Sequence, residues 1–146
     1  MTKLLPRLAL AFAVAALLTP LAHLLELPNK LRLDGALWLA VQQHLYRGWG
    51  PLLGAPTELG ALALSLILCA RRGARWRLVG VGAYATMIVV FFIFNAPVNA
   101  MTAGWTAETL PPDWQVFRLQ WEAGHALSAV LAGIGLAATI RAGRGD

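Results

Sequence analysis

The chain reads as an all-α protein, an integral membrane four-helix bundle forming one domain over residues 1–146. Two observations predict this. Only 13% of the residues are charged against 58% hydrophobic, with a mean hydropathy of +0.62, whereas a soluble domain carries about 25% charged residues. Four apolar stretches, at about 8–27, 51–70, 78–100 and 117–140, meet the roughly 20 residues that a membrane helix needs. These figures exclude a cytosolic globule, a disordered tail and a fibrous protein. A single cysteine, Cys69, excludes a disulfide framework, a CxxC redox centre and a thiolate zinc site. The net charge of +5 does not point to nucleic acid, because the arginines cluster at the ends of apolar runs, as in membrane anchoring.

The first span lies between Arg7 and Lys30, and the second carries Glu58 as its one charge and stops at Arg71. A third begins at Leu78 and meets no charge until Glu108; the fourth contains Glu122 and is followed by Arg141. Between spans one and two, Leu33, Leu37, Val41 and Leu45 recur every four residues behind Asp34, a suitable N-cap. That pattern predicts a short amphipathic helix lying in the interface, with Trp38, Tyr46 and Trp49 at headgroup depth. Pro111-Pro112-Asp113 is a helix stop followed by a cap for span four. Gly80 with Gly82, Gly124 with Ser128, and Gly133 with Gly135 are small-residue contact points between helices, and Cys69 and Tyr84 read as packing. Lys3 and Arg7 ahead of an apolar run resemble a secretory signal, but the run is long and Pro20 stands where a cleavage site wants a small residue.

Orientation follows from Lys and Arg, which accumulate in cytoplasmic loops. With both termini inside, Lys3, Arg7, Arg71, Arg72, Arg75, Arg77, Arg141 and Arg144 are cytoplasmic, eight against the four of Lys30, Arg32, Arg47 and Arg118. Glu26, Asp34, Glu58, Glu108, Asp113 and Glu122 then lie toward the outer side, and Asp146 inside.

Ionisable groups within a span are expensive unless they face a partner or cavity, so they mark candidate sites. Here His23, Glu26, Glu58, Asn95, Asn99, Arg118, Glu122 and His125 all fall at the outer ends of their spans. His23-x-x-Glu26 and Glu122-x-x-His125 each put two ligand types on one helix face. In carboxylate-bridged four-helix metalloproteins, E-x-x-H pairs and lone glutamates surround a metal pair. The candidate metal ligands are therefore His23, Glu26, Glu58, Glu122 and His125. Nitrogen and oxygen donors of this kind suit one or two ions of iron, manganese or zinc. Arg118 is expected either to pair with Glu122 at i, i+4 or to engage an anionic substrate oxygen. Asn95 and Asn99 would orient substrate or water, or serve as packing glue beside a kink at Pro97. His44 on the short helix is expected to be exposed rather than functional.

The stretches Asn95-Ala-Pro-Val-Asn99 and Trp114-x-x-x-Arg118-x-x-Trp121-Glu122-x-x-His125 resemble the anthrone-oxygenase-like family of small four-span membrane proteins. His23-Leu-Leu-Glu26-Leu-Pro-Asn-Lys30 and Gln43-His-Leu-Tyr46-Arg-Gly-Trp49 are similar to a bacterial branch of that group. The resemblance implies four spans and, for a few members, oxidation of a flat phenolic polyketide by dioxygen. The expected protein is a multi-pass enzyme of a bacterial inner membrane, surrounded by membrane lipid. Its leading reading is a metal-dependent oxidoreductase or oxygenase acting on a lipophilic aromatic or quinone-like molecule at the outer leaflet, with Trp114 and Trp121 walling the pocket. A metal-free acid–base isomerase of a sterol-like lipid and a non-enzymatic partner or lipid-binding subunit stand beside it. A haem between His23 and His125 fits poorly with three carboxylates nearby.

Overall fold

The computed structural model describes residues 4–72 and 75–144; Lys3 and Asp146 of the charge tally lie outside them. Helix α1 (Leu4–Lys30) is followed by a short helix α2 (Gly35–Ala40) that runs into a π-helical turn, Val41–Leu45. A second π turn, Gly50–Gly54, leads into α3 (Ala55–Arg72). Helix α4 (Arg75–Val90) continues through a third π turn, Phe91–Asn95, into α5 (Ala96–Thr102), and α6 (Trp114–Gly143) closes the chain. Counted through the π turns, four helices are long and apolar enough to cross a membrane: Leu4–Lys30, Gly50–Arg71, Arg75–Thr102 and Trp114–Gly143. Each expected span is present and longer than its charge-free core. A helix of 30 residues spans about 45 Å, beyond the roughly 30 Å of hydrocarbon, so polar ends stay helical outside it.

Helix α1 packs on α3 and α6, and α4 packs on the same two, which gives a ring of four antiparallel neighbours. Its centre is Ala13, Ala16, Ala61, Tyr84, Met87 and Ala132, with Phe12, Leu17, Leu62, Leu131 and Leu136 around it. Alanine and glycine dominate because, with lipid as apolar as leucine, association rests on close van der Waals approach. Large apolar side chains such as Leu18, Leu25, Leu66, Val89, Phe92 and Val130 point outward instead. Of the expected small contact points, a Cβ on Gly135 would strike the Tyr84 ring and one on Gly124 would strike Asn95 and Phe94. Gly82 and Gly133 have nothing within 4 Å, so their place in those pairs is corrected: they face open space.

Pro97 lacks an N–H and its ring would collide with the carbonyl four residues back, that of Ile93. The π turn Phe91–Asn95 absorbs that collision. The Gln120 amide donates to both the Ile93 and the Phe94 carbonyl at 3.3 Å, which supplies the missing partners. This turn sets Asn95 against Gly124, where α6 has no side chain. Gly124→Ala is therefore expected to cost about 1–3 kcal/mol by overpacking, read as a fall in thermal midpoint in detergent; Gly133→Ala should leave the midpoint unchanged or raise it slightly. Equal behaviour of the two would contradict the close approach of α6 to the π turn.

The segment between α1 and α3 is packed onto the bundle. Asp34 does cap α2, accepting from the Leu37 backbone N–H at 2.8 Å, and Leu37 and Leu45 are exposed on the face open to lipid. Trp38, however, is fully buried and stacks on Trp114 at 5.5 Å, and Tyr46 is buried against Val98 and Trp121. Their ring area joins the segment between α1 and α3 to α6. Gln43 adds bonds to the Thr102 and Trp105 carbonyls at 2.8 and 2.9 Å. Gly48, at φ 89°, supplies the left-handed residue that turns the chain between the two π turns. Asp113 occupies the N-cap of α6, but its side chain makes no capping bond, a correction to the cap read from Pro111-Pro112-Asp113.

Candidate functional site

Helices α1 and α6 run antiparallel in a register that sets His23 opposite His125 and brings Lys30 to Glu122 and Arg118. The His23 and His125 ring centroids are 4.1 Å apart, tilted by 39°. Tyr46 meets the His23 ring edge-on at 4.5 Å and Trp121 meets it at 4.8 Å, with Trp49 at 5.7 Å. Two imidazoles thus sit side by side in an aromatic box built by α1, α6 and the segment after α2.

Toward the C-terminal end of α1, the Lys30 ammonium donates to Glu122 Oε2 at 2.8 Å. Lys30 is only 4% exposed, and its Nζ also lies 5.1 Å from the Trp121 ring centroid and 5.7 Å from that of Tyr46. A buried ammonium is tolerable here because a carboxylate and two aromatic faces surround it. Pairing of Glu122 with Arg118 on its own helix was one of the two expectations for that arginine. The structure corrects this: Arg118 Nη1 donates to the Lys30 and Leu33 carbonyls at 3.3 and 3.1 Å and its guanidinium lies 4.7 Å from the Trp114 ring centroid. Arg118 closes the C-terminal end of α1, satisfying carbonyls that a helix end leaves free.

The Tyr46 hydroxyl donates to Glu26 Oε2, and the same oxygen is 3.8 Å from His23 Nδ1, which has no hydrogen-bond partner. Burial, then the bond to Glu26 and its charge, hold the Tyr46 hydroxyl above the usual phenol range, so it remains a donor. Glu122 Oε1 is likewise buried without a partner. Asn95 donates to the Trp121 carbonyl at 2.9 Å and Asn99 Oδ1 accepts from the Trp121 indole N–H at 2.8 Å. Both asparagines thus hold Trp121, one wall of the box.

Of the five expected ligands, His23, Glu26, Glu122 and His125 share this region. Glu58 stands apart in the first turn of α3, half-buried, with no ion pair or side-chain hydrogen bond to the others. Among the described residues no three His, Cys, Asp or Glu side chains converge as a metal site. Lys30 occupies Glu122 Oε2 and Tyr46 occupies Glu26 Oε2, which leaves Glu122 Oε1 without a partner.

Two functional residues were missed. Lys30 served only as the end of a span, although it lies seven residues after His23 and four after Glu26, hence on the same helix face. Tyr46 was assigned to the headgroups, and only the folded chain shows it over α1. His44 is exposed, as expected. No protein-family model, curated protein or solved structure matches the chain.

Proposed function

We propose that the chain is a membrane enzyme that moves protons on a lipophilic ring molecule of enone or quinone-like type, an acid–base isomerase working in the outer leaflet of a bacterial inner membrane, with both termini cytoplasmic. The observation that carries it is the side-by-side pair His23 and His125 beside the buried Lys30–Glu122 ion pair. One imidazole accepts a proton from a ring carbon and the neighbouring group returns it at another position, so no electron acceptor is needed. Lys30 has three donors and one is given to Glu122; the remaining charge faces the box and stabilises an enolate oxygen as it forms. Tyr46 keeps Glu26 beside His23. The Glu26 side chain is 41% exposed and gives the proton a way out to the outer surface.

A second reading keeps the metal-dependent oxidoreductase and rests on one observation: His23 Nδ1 is buried, unpartnered and next to His125. Elemental analysis of detergent-purified protein separates the two. The acid–base reading expects substoichiometric iron, manganese and zinc together with exchange of solvent deuterium into lipophilic enones or quinols. Stoichiometric metal that His125→Ala removes would establish the metal reading in its place. Neither metal nor exchange, with His23→Ala changing only thermal stability, would leave a structural partner subunit.

A further inference from the structure

At the opposite end of the bundle, α1, α3, α4 and α6 leave a small half-open cleft of about 20 Å³, room for about one water molecule or one phosphate oxygen. Ser65, Trp76, Arg77, Gly80, Thr139 and Ala142 line it. Arg77 donates from Nη2 to the Ala142 carbonyl at 3.2 Å, which orients the guanidinium across the cleft, while its Nε is buried and has no partner. Trp76 is flanked by two more guanidinium groups, Arg75 at 5.0 Å and Arg141 at 5.1 Å from its ring centroid. Among the described residues the carboxylates all belong to the other end: Glu26, Asp34, Glu58, Glu108, Asp113 and Glu122. Arg77, with an unused buried donor, therefore lines the opening, two more guanidiniums sit on the indole beside it, and among the described residues no acidic side chain lies at this end. Arginines spread over a loop would meet water and headgroups indifferently. Here one is pinned inside a cleft and two are pinned on an indole at the rim.

We propose that this cleft binds the phosphodiester of an anionic membrane lipid, with one phosphate oxygen accepting from Arg77 Nε, the Ser65 hydroxyl beside it, and Arg75 and Arg141 holding the remaining charge. Planar guanidinium donors suit a phosphate oxygen pair. The acyl chains would run along the exposed apolar faces of α3 and α4. A zwitterionic headgroup carries its own cation into the same cluster and is disfavoured.

Native mass spectrometry of the full chain, delipidated in detergent, tests this with phosphatidylglycerol, phosphatidylcholine and inorganic phosphate as probes. The expected result is a one-to-one phosphatidylglycerol adduct, at least about tenfold tighter than phosphatidylcholine, as charged hydrogen bonds to phosphate allow. Arg77→Gln should weaken it by about tenfold or more, whereas Arg71→Gln, an exposed arginine at the same end, should stay within about twofold. Because Arg77 also bonds Ala142, Gly80→Val serves as an independent probe. A Cβ at Gly80 meets its nearest neighbours at 3.9 Å, ordinary van der Waals distance; the valine methyls then take up the cleft and should abolish the adduct with every arginine in place, and the thermal midpoint of the same preparation reads whether the bundle stays intact. Equal weakening by Arg71→Gln and Arg77→Gln, or an adduct that survives Gly80→Val, would reduce the effect to diffuse charge attraction and overturn the site. Full displacement of the lipid by equimolar inorganic phosphate would overturn the lipid as its occupant.

Discussion

Lys30→Met is expected to destabilise the bundle by about 3–5 kcal/mol, the range for removing one member of a buried ion pair. The substitution leaves Glu122 at 4% exposure with neither oxygen paired, since Oε1 already lacks a partner and Oε2 loses the bond at 2.8 Å. For a chain of this size each kcal/mol lowers the thermal midpoint by about 2–4 °C, so a fall of roughly 10 °C or more should be visible by light-scattering or intrinsic fluorescence in detergent. Replacing both partners by apolar side chains of similar volume removes the desolvation penalty along with the attraction and is often neutral. Lys30→Met with Glu122→Leu should therefore recover most of the lost midpoint. Arg118→Met on the same scale tests a different contact, the closure of α1 through the Lys30 and Leu33 carbonyls, and should not be rescued by Glu122→Leu. An unchanged midpoint in Lys30→Met alone would mean that the ion pair does not hold α1 to α6.

What the sequence made legible was set by local signals. Hydropathy over about 20 residues located all four spans, and the Asp34 cap with its four-residue leucine repeat located the short helix. Polar groups inside spans one and four proved to face each other, because antiparallel neighbours of similar length bring the end of one to the start of the other. Non-local choices were not legible. Glu122 has a cation four residues away on its own helix and a second, Lys30, across the bundle; periodicity favours the first, and burial of both Lys30 and Glu122 decides for the second. Lys30 was read as a mark of water because charges flank spans so regularly, yet its stem and ammonium lie inside the protein. The π turns are invisible to a 3.6-residue period. One of them, at Phe91–Asn95, leads into α5, and Asn95 and Asn99 bond the Trp121 carbonyl and indole. For Glu58, depth follows from position along a span, whereas azimuth follows only from packing.

The remaining test bears on the imidazoles themselves. His125→Phe preserves an aromatic ring where His125 meets Trp121 at 4.1 Å and His23 at 4.1 Å; the phenyl ring is larger by more than a methylene, so overpacking should cost about 1–3 kcal/mol and lower the thermal midpoint while the bundle stays folded. Proton transfer is another matter, because phenyl offers neither donor nor acceptor. A positioned acid or base contributes about 10² to 10⁴ in rate, and deuterium exchange into the lipophilic substrate should fall by that factor while its binding, measured by quenching of the Trp121 and Trp49 indoles, changes little. His23→Phe should behave alike if the pair works as a relay. A loss confined to one of the two would assign the base to that residue and leave its neighbour as the wall. Exchange that persists in both variants would remove the histidines from the chemistry and move it to Glu26 and Tyr46, where Tyr46→Phe, which deletes the hydroxyl bonded to the Glu26 carboxylate, becomes the variant that must abolish it.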